Sequence, residues 1–407
     1  MTSAPGSTPG RSTTEVQPLP SDLLTINMGP AHPATHGTLR LQLQLDGETI
    51  VNCGAEIGYL HRGFEKQAEN CQYQLVIPYA ERLNYMGPVH NSNAWCHACE
   101  GLLGIEAPPR AQALRVITSE LARIIDHAVC IGTNLVDMGA LTNFWYMYNY
   151  REKIYDLMEE LTGARMMVNY PRIGGVCLDA PDGWLESVVR VMADMQEVVA
   201  EVSGLVSRNR IFMDRTQGVG VISKEMAISH SVTGPCARAA GINWDLRKSQ
   251  PYWGYDKLNF EVPVETAGDT YARTMVRFRE MEESRKLVLQ AITSIPGGAV
   301  MVTDHLVALP PKDKVYNTME GLINHFKLIM HGIRPPRGEF YSATEGGNGE
   351  LGYYIVSDGG PNAWRLRIRP PCFANYSVFP KIITGQLVAD AVAALGSINI
   401  IAGELDR

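Results

Sequence analysis

Two histidines four residues apart, His32 and His36, are the first residues in this sequence that could do chemistry. They lie in the segment 29–36, where Pro30 and Pro33 fix φ and remove backbone donors, so the segment is not helix interior. It is predicted to be a stiff loop between two strand-like runs. An imidazole on such a loop can present a proton to a bound substrate. The alternative is a structural histidine pair satisfied by the backbone.

The second candidate is Asp137, which is the only charged residue between Ala128 and Tyr150. A buried carboxylate without a partner is unfavourable or becomes protonated, so the sequence predicts a partner for it. Histidine is the natural partner, because a carboxylate fixes the imidazole tautomer and stabilises the imidazolium. The alternative is a carboxylate at a helix end with its head group in water.

Three other patterns carry weaker signals. Tyr85 could donate a hydrogen bond to a carbonyl oxygen, although a single tyrosine among 17 is usually a packing residue. Cys96 and Cys99 form a CxxC pattern without a second ligand pair, so we interpret them as buried thiols and not as a zinc site. Residues 61–66 concentrate charge around Arg62, which fits either a partner's negatively charged cluster or a solvated helix start.

Composition excludes several classes of protein. The 407 residues carry a net charge of −7 and no basic cluster, which argues against a nucleic-acid-binding protein. No uncharged apolar run reaches the roughly 18 residues of a membrane-spanning helix. The eight cysteines lie in mostly apolar surroundings, which suits a reducing compartment. Residues 1–22 are rich in Ser, Thr, Pro and Gly and are predicted to be a disordered tail without a signal peptide.

The elements that must position the candidates follow from periodicity and turn residues. Residues 22–60 are predicted to form a small antiparallel sheet, and residues 338–369 a β-hairpin with its turn at 346–349. Residues 210–265 are predicted to be irregular and strand-like. Helices are predicted at 93–101, 109–128, 144–161, 184–206, 270–293, 317–330 and 380–394.

Two of these helices begin after an acidic residue that is predicted to cap them, Asp182 and Asp269. No linker is visible after residue 22, so residues 23–407 are predicted to be a single domain. Its fold class is mixed α+β and helix-rich, a helical bundle with sheet at both ends.

Many motifs in the same order make this chain resemble the 49-kDa-type D subunits of respiratory complex I, the proton-pumping NADH:quinone oxidoreductase. The resemblance runs from residue 23 to Arg407. Its motifs lie at residues 29–37, 58–63, 82–85, 108–111, 135–142, 163–165, 244–248, 349–352 and 403–407.

The family is similar in fold to the large subunit of [NiFe]-hydrogenases, which hold nickel and iron with two CxxC pairs. The corresponding stretches here, residues 62–65 and 406–407, contain no cysteine, so thiolate ligation of a metal is not expected in this chain. The resemblance implies that the vacated cavity is the quinone pocket.

The resemblance also implies roles for individual residues. His36 would lie beside the quinone head group, Tyr85 would bond a quinone carbonyl, and Asp137 would pair with His36. Electrons would come from a [4Fe–4S] cluster in the B-type subunit, with Arg62 close to that cluster. The quinone would be ubiquinone or menaquinone. Further implied partners are the C-type and membrane-arm subunits, with this chain peripheral on the cytoplasmic side of the bacterial inner membrane.

Two positions depart from the family pattern as we expect it. Many members carry histidine where this chain has Met167, and because a thioether cannot titrate, a weaker pH dependence of the partner cluster's potential is expected. Ordinary helix residues are expected after Tyr85, whereas Pro88 could shift the backbone there.

Two other functions compete with this interpretation. One is a redox enzyme of the hydrogenase class, which the missing cysteine pairs oppose. The other is a non-catalytic scaffold protein on the same fold, which would not need His36, Tyr85 and Asp137 together. An electron donor other than NADH, such as ferredoxin, would be selected by other subunits.

Overall fold

The computed structural model describes residues 23–407, so the predicted tail, residues 1–22, lies outside the described residues. The described chain begins with a three-stranded antiparallel sheet in the order β1-β2-β3. Its strands are β1 (Leu24–Met28), β2 (Arg40–Asp46) and β3 (Thr49–Glu56). Every second side chain of β2 is buried, as expected for a sheet with one face on the core. The sheet predicted within residues 22–60 is therefore confirmed.

Thirteen helices follow before the large C-terminal sheet. They are α1 (Phe64–Glu69), α2 (Ile77–Glu81), α3 (Pro88–Leu103), α4 (Pro109–Asp137), α5 (Leu141–Thr162), α6 (Trp184–Ser207), α7 (Arg210–Thr216), α8 (Lys224–Ser229), α9 (Pro235–Ala239), α10 (Leu246–Ser249), α11 (Thr270–Thr293), α12 (Lys312–Asn317) and α13 (Met319–His331).

The longest helix, α4, lies at the centre of a bundle. It packs against α5 and α11, and α6 also packs against both of these helices. The helix begins at Pro109, a favoured first position because a residue there needs no backbone N–H. Nearly every side chain from Leu114 to Leu135 is buried, since neighbouring elements enclose the helix on all sides.

Two further sheets are antiparallel. A short hairpin, β4 (Pro171–Arg172) with β5 (Gly175–Val176), lies between α5 and α6. The C-terminal sheet has the order β6-β7-β8, with strands β6 (Gly338–Gly346), β7 (Gly349–Ser357) and β8 (Arg365–Arg369). Gly346 pairs with Gly349, so the predicted turn is confirmed, and β8 adds a third strand to the predicted hairpin.

Four short helices end the chain. They are α14 (Pro371–Tyr376), α15 (Phe379–Ile383), α16 (Val388–Ile398) and α17 (Ala402–Asp406). The single helix predicted over 380–394 is therefore divided, with Gly385 in the left-handed region at φ 83° between its two parts. The helix predicted over 317–330 is confirmed as α13, which begins two residues later because Thr318 is its N-cap.

Residues 210–265 were predicted to be irregular and strand-like, and the strand-like part of this prediction is wrong. The structure describes all of them, and they form four short α-helices and a 3₁₀ turn at Tyr255–Lys257, joined by irregular segments, and no strand. The physical reason lies in the N-caps, because Asn209, Ser223 and Asp245 each accept a hydrogen bond from a backbone N–H in the first turn that follows. Capping and tertiary packing therefore fold these locally alternating apolar residues into short helices.

The two predicted acidic caps have different outcomes. Asp269 caps α11 by accepting a hydrogen bond from the N–H of Ala272 at 2.7 Å, as predicted. Asp182 does not cap α6, because the N-cap is Gly183 in the left-handed region at φ 83° without a side-chain bond. Because Gly183 occupies the N-cap position, Asp182 lies one residue too early to cap the helix.

Buried apolar side chains form three main regions: the helical bundle, the N-terminal sheet with α15 and α16, and α3 with the C-terminal sheet. Helix α16 packs against α4 and also contacts the loop after β1. This packing brings together the β1–β2 loop, the end of α4 and the C-terminal helices. Among the described helices, none combines the length and apolar composition that crossing a membrane requires.

Candidate active site

The loop between β1 and β2 holds its two histidines in different ways. Pro33–Thr35 forms one 3₁₀ turn, and His32 caps it, with Nδ1 accepting a hydrogen bond from the N–H of Ala34 at 3.2 Å. His36 ends the turn in the left-handed region at φ 52°. His32 is therefore a structural residue, while the same turn projects the His36 imidazole away from the loop.

The His36 imidazole contacts Asp137 directly, through Nε2 and Oδ2. The aspartate is the last residue of α4, and the two side chains are 16% and 18% exposed. A carboxylate can only accept, so Nε2 carries the proton in this contact and Nδ1 faces elsewhere. The sequence-based prediction that Asp137 needs a histidine partner is confirmed by this contact.

A glycine of α16 makes room for this pair. A Cβ added at Gly396 would lie 3.2 Å from His36 Nε2 and 2.9 Å from Asn134 Oδ1. Asn134 is buried one turn before the end of α4, and its Oδ1 has no hydrogen-bond partner among the described residues. The imidazole is thus held between α4 and α16. Neither Gly396 nor Asn134 was identified from the sequence, because no local pattern marks a close approach between distant helices.

Tyr85 lies in the turn between α2 and α3. The side chain of Asn84 closes this turn by accepting hydrogen bonds from the N–H groups of Met86 and Gly87, both at 3.1 Å. The expectation that ordinary helix residues follow Tyr85 is wrong, because α3 begins only at Pro88. Proline is favoured at a first helical position, and Pro88 starts α3.

The Tyr85 hydroxyl faces the C-terminal segment. Burial raises its pKa, and the Cys372 sulfur adds to this increase, whereas the backbone N–H of Ala402 and the Arg62 guanidinium act in the opposite direction. A Cβ added at Gly37, next to His36, would lie 3.1 Å from the Ala402 side chain. The first residue of α17 is therefore a shared neighbour of Tyr85 and the histidine loop.

Arg62 lies against the same segment. Its Nη2 donates to the carbonyl oxygen of Arg82 at 2.8 Å, and burial lowers its pKa. A Cβ added at Gly403 would lie 3.0 Å from this Nη2 and 2.7 Å from the carbonyl oxygen of Leu83. Gly403 thus allows α17 to pack against the turn that carries Tyr85.

The loop before Arg62 is fixed to the end of the chain. The carboxylate of Asp406 accepts hydrogen bonds from the N–H groups of Gly58 and Leu60, at 2.8 and 2.7 Å. Arg407 approaches Glu65 to 3.5 Å. Oppositely charged side chains therefore meet between the segment around Arg62 and the end of the chain. A cavity of about 450 Å³ opens here, lined in part by positive side chains, Lys66, Arg365, Arg367 and Arg407.

The CxxC pattern lies inside α3. Cys96 and Cys99 are both completely buried, and burial raises the pKa of Cys96 to about 12. The interpretation of this pair as buried thiols is confirmed. Across residues 23–407, His, Cys, Asp and Glu side chains form no group of three or more with the arrangement of a metal site.

Comparison with known proteins gives one consistent result. Residues 137–407 match the model of the family described as respiratory-chain NADH dehydrogenase, 49-kDa subunit. The chain is 53% identical over 384 residues to the fused C/D-type NADH-quinone oxidoreductase protein of Bdellovibrio bacteriovorus, covering 94% of this chain and 69% of that protein.

Two further relatives are D-type NADH-quinone oxidoreductase subunits that the chain spans almost completely. Identity is 46% over 384 residues to the D-type protein of Myxococcus xanthus, covering 94% of this chain and 92% of that one. It is 48% over 407 residues to a D-type protein of Opitutus terrae, covering 99% and 96%. This chain belongs to the 49-kDa subunit family of respiratory-chain NADH dehydrogenase.

Membership of the 49-kDa family makes the chain one subunit of complex I, so its activity belongs to the assembled enzyme. It also confirms the predicted fold class, a helix-rich mixed α+β protein of the hydrogenase large-subunit type. The family assignment excludes the hydrogenase-class alternative. The functional roles of individual residues are a separate question, which the geometry of the site addresses.

Proposed function

We propose that this chain forms the quinone-binding side of the reduction site in a proton-translocating NADH:quinone oxidoreductase. The neighbouring B-type subunit supplies the terminal [4Fe–4S] cluster. The relatives are named as parts of NADH-quinone oxidoreductase, which supports quinone as the substrate. The observation that carries the proposal is the contact of His36 with Asp137, beside a segment that also faces Tyr85.

The chemistry requires two protons for every quinone. Two electrons from NADH arrive through the cluster, and each quinone oxygen takes one proton to give the quinol. Burial raises the pKa of Tyr85, so its hydroxyl stays protonated at neutral pH and can donate to one oxygen. In its imidazolium form His36 donates to the other oxygen through Nδ1, because Nε2 already donates to Asp137, and both donors stabilise the negative charge that develops there.

Asp137 has two roles in this proposal. Its carboxylate orients the His36 ring, and it experiences the change of charge when the imidazole releases a proton. Such a change at the end of a long buried helix can act as a signal for distant proton pumps. We assign Asp137 as the residue that links quinone chemistry to proton translocation.

Arg62 is assigned to the electron path. Its guanidinium is fixed by the carbonyl of Arg82, and a positive charge close to an electron acceptor stabilises the reduced form. The Bdellovibrio relative is a C/D fusion, which supports a C-type protein as a second partner. Membrane-arm proteins complete the set, with this chain peripheral on the cytoplasmic side of the bacterial inner membrane.

The test uses the assembled complex with either His36→Ala or Tyr85→Phe. We expect quinone reduction to fall by about tenfold to a hundredfold, because each change removes one proton donor. Cluster content and NADH oxidation by an artificial acceptor should persist, which separates loss of chemistry from loss of assembly.

Matched controls are His305→Ala and Tyr316→Phe, whose side chains are exposed. These controls should leave quinone reduction unchanged. Wild-type quinone reduction in both His36→Ala and Tyr85→Phe would refute the assignment and favour a scaffold role for this chain.

A further inference from the structure

Glu404 is a buried acid that the proposed reaction does not use. It lies on α17 and is 2% exposed. The thiol of Cys372, on α14, donates a hydrogen bond to its Oε2 at 2.7 Å, and the amide of Asn91, on α3, reaches its Oε1 at 3.5 Å. Among the described residues, no lysine, arginine or histidine forms an ion pair with this carboxyl. Its hydrogen-bond partners are neutral groups.

The surroundings bring this carboxyl into the physiological pH range. Burial raises the pKa of Glu404 to about 7. Hydrogen bonds from Cys372, Asn91 and Asn84 limit the increase, while Asp126 of α4 adds to it. On the remaining side, the hydroxyl of Tyr353 on β7 lies 3.3 Å from Asn91 Oδ1, and its own pKa is raised far above neutrality. Glu404 is therefore a buried carboxyl whose pKa lies near physiological pH.

Glu404 and Cys372 lie next to Tyr85, the proposed proton donor. The Tyr85 hydroxyl faces the backbone N–H of Ala402, two residues before Glu404. The Cys372 sulfur also raises the pKa of Tyr85, because negative charge on the sulfur disfavours the phenolate. The thiol that donates to Glu404 therefore also acts on Tyr85.

We propose that Glu404 and Cys372 form a proton store that returns a proton to Tyr85 after quinone reduction. This inference rests on the proposed function, because it requires Tyr85 to lose its proton to the quinone. Glu404 is a positioning and proton-supplying residue that acts through Tyr85, and the quinone itself does not contact it.

The transfer balances without any further reactant. Reduction of the quinone breaks the O–H bond of Tyr85 and leaves a phenolate. The S–H proton of Cys372 then forms the new phenol O–H bond, while the carboxylic proton of Glu404 restores the S–H bond. Glu404 ends as a carboxylate, so one negative charge moves from Tyr85 to Glu404 and no electron is transferred. The transfer is downhill, because a phenol binds its proton more tightly than this carboxyl does.

The first test measures the pH profile of quinone reduction by the assembled complex with Glu404→Gln, which keeps the size of the side chain and removes its proton exchange. Wild-type kcat should fall as the pH rises through about 7. The variant should lose this dependence, with kcat lowered by about tenfold and KM changed much less, since Glu404 acts through Tyr85.

Cys372 provides a matched pair of variants. Cys372→Ala interrupts the proposed relay, so kcat should fall towards the Glu404→Gln value and lose its dependence on pH. Cys372→Ser keeps a donor and should restore the wild-type midpoint. Glu186→Gln and Cys177→Ser, which change exposed residues, should change neither midpoint nor KM.

The second test does not depend on turnover. Infrared difference spectra of the wild-type complex between acidic and alkaline pH should show the C=O stretch of a buried carboxylic acid disappearing near pH 7. The S–H stretch should shift with the same midpoint, because the thiol changes from acceptor to donor. Cys372→Ser should remove that S–H band, and Glu404→Gln should remove the C=O band.

The outcomes separate this inference from the proposed function. Wild-type activity in both His36→Ala and Tyr85→Phe would refute the proposed function itself, whereas wild-type activity in Tyr85→Phe alone would refute the proton store. Low activity in Tyr85→Phe together with an unchanged pH profile in Glu404→Gln would refute only the proton store. If Glu404→Gln does not assemble, an S–H band in the wild-type complex that does not follow the carboxyl band would refute it.

Discussion

Two groups of buried charged side chains differ in the partners they have. In the bundle interior, Glu120 accepts hydrogen bonds from Arg247 at 3.1 Å, Tyr255 at 2.6 Å and Ser284 at 2.7 Å. Burial alone would raise the pKa of Glu120, but Arg123 and Arg247 outweigh it and hold the pKa far below its usual range. This acid is permanently charged.

At the candidate site, the carboxyl groups have fewer and weaker hydrogen-bond and ion-pair partners. Asp137 has one histidine and remains partly exposed, and Glu404 has only neutral donors and a raised pKa. Full pairing with arginine fixes a charge and the structure around it, whereas partial or neutral pairing leaves a proton free to move. The difference separates carboxylates that stabilise this fold from those that can act.

The largest effect is expected in the interior network. Arg247→Ala leaves Glu120 and Asp245 short of a cation, so the complex should lose about 3–5 kcal/mol of stability or fail to assemble. Thermal unfolding and the yield of complex measure this. Lys153→Ala breaks an exposed pair with Asp194 and should cost about 0–1 kcal/mol. Equal losses in the two variants would contradict the comparison.

The second effect is the pH dependence of stability at Glu404. Its pKa rises from 4.5 to about 7 on burial, so the folded state binds the extra proton between these values. The stabilisation is complete below pH 4.5 and is lost as the pH rises towards 7, by about 3 kcal/mol.

Glu404→Gln should therefore gain stability relative to wild type as the pH increases from 5 to 8, measured by denaturant unfolding of the complex. Glu186→Gln is the control and should show a constant difference. A wild-type stability curve that runs parallel to Glu404→Gln over this range would show that the carboxyl does not exchange protons there.

A smaller effect on quinone reduction is expected at Gly396, the glycine that packs against His36. Gly396→Ala brings a methyl group within 3.2 Å of His36 Nε2, which should displace the imidazole and lower quinone reduction severalfold. Gly204→Ala, in α6 with open space around it, should stabilise the protein by about 0.5–1 kcal/mol without changing activity. Unchanged activity in Gly396→Ala would show that the contact with Asp137 tolerates displacement.

The smallest expected effect is on the potential of the partner cluster and concerns Met167, in the loop between α5 and β4. A thioether cannot titrate, so the potential of the partner cluster should depend only weakly on pH. Met167→His should make that dependence steeper in a potentiometric titration, while Met166→His, at a more exposed position, should change it less. A steep dependence in the wild-type complex would contradict this prediction.

The sequence-based predictions were more accurate for features that depend on nearby residues than for features that depend on tertiary contacts. The N-terminal sheet, the long helices and the turn at 346–349 were predictable, because periodicity and turn residues act over a few positions. The strand-like interpretation of residues 210–265 failed where N-caps and packing override local alternation. The cap at Asp182 failed by one residue, which is the ordinary uncertainty of a helix boundary.

The sequence also indicated that Asp137 needs a partner, since an acid isolated among apolar residues is costly without one. The same signal marks Glu404, which follows the uncharged residues 391–403.

Sequence alone determined which side chains could carry protons and which segments were stiff, helical or extended. The motifs shared with the 49-kDa family implied that Asp137 pairs with His36, but only the tertiary structure shows this contact and the contact of Cys372 with Glu404. The first pair is separated by 101 residues and the second by 32. Contacts over such distances depend on how helices and sheets pack, and local propensity does not contain that information.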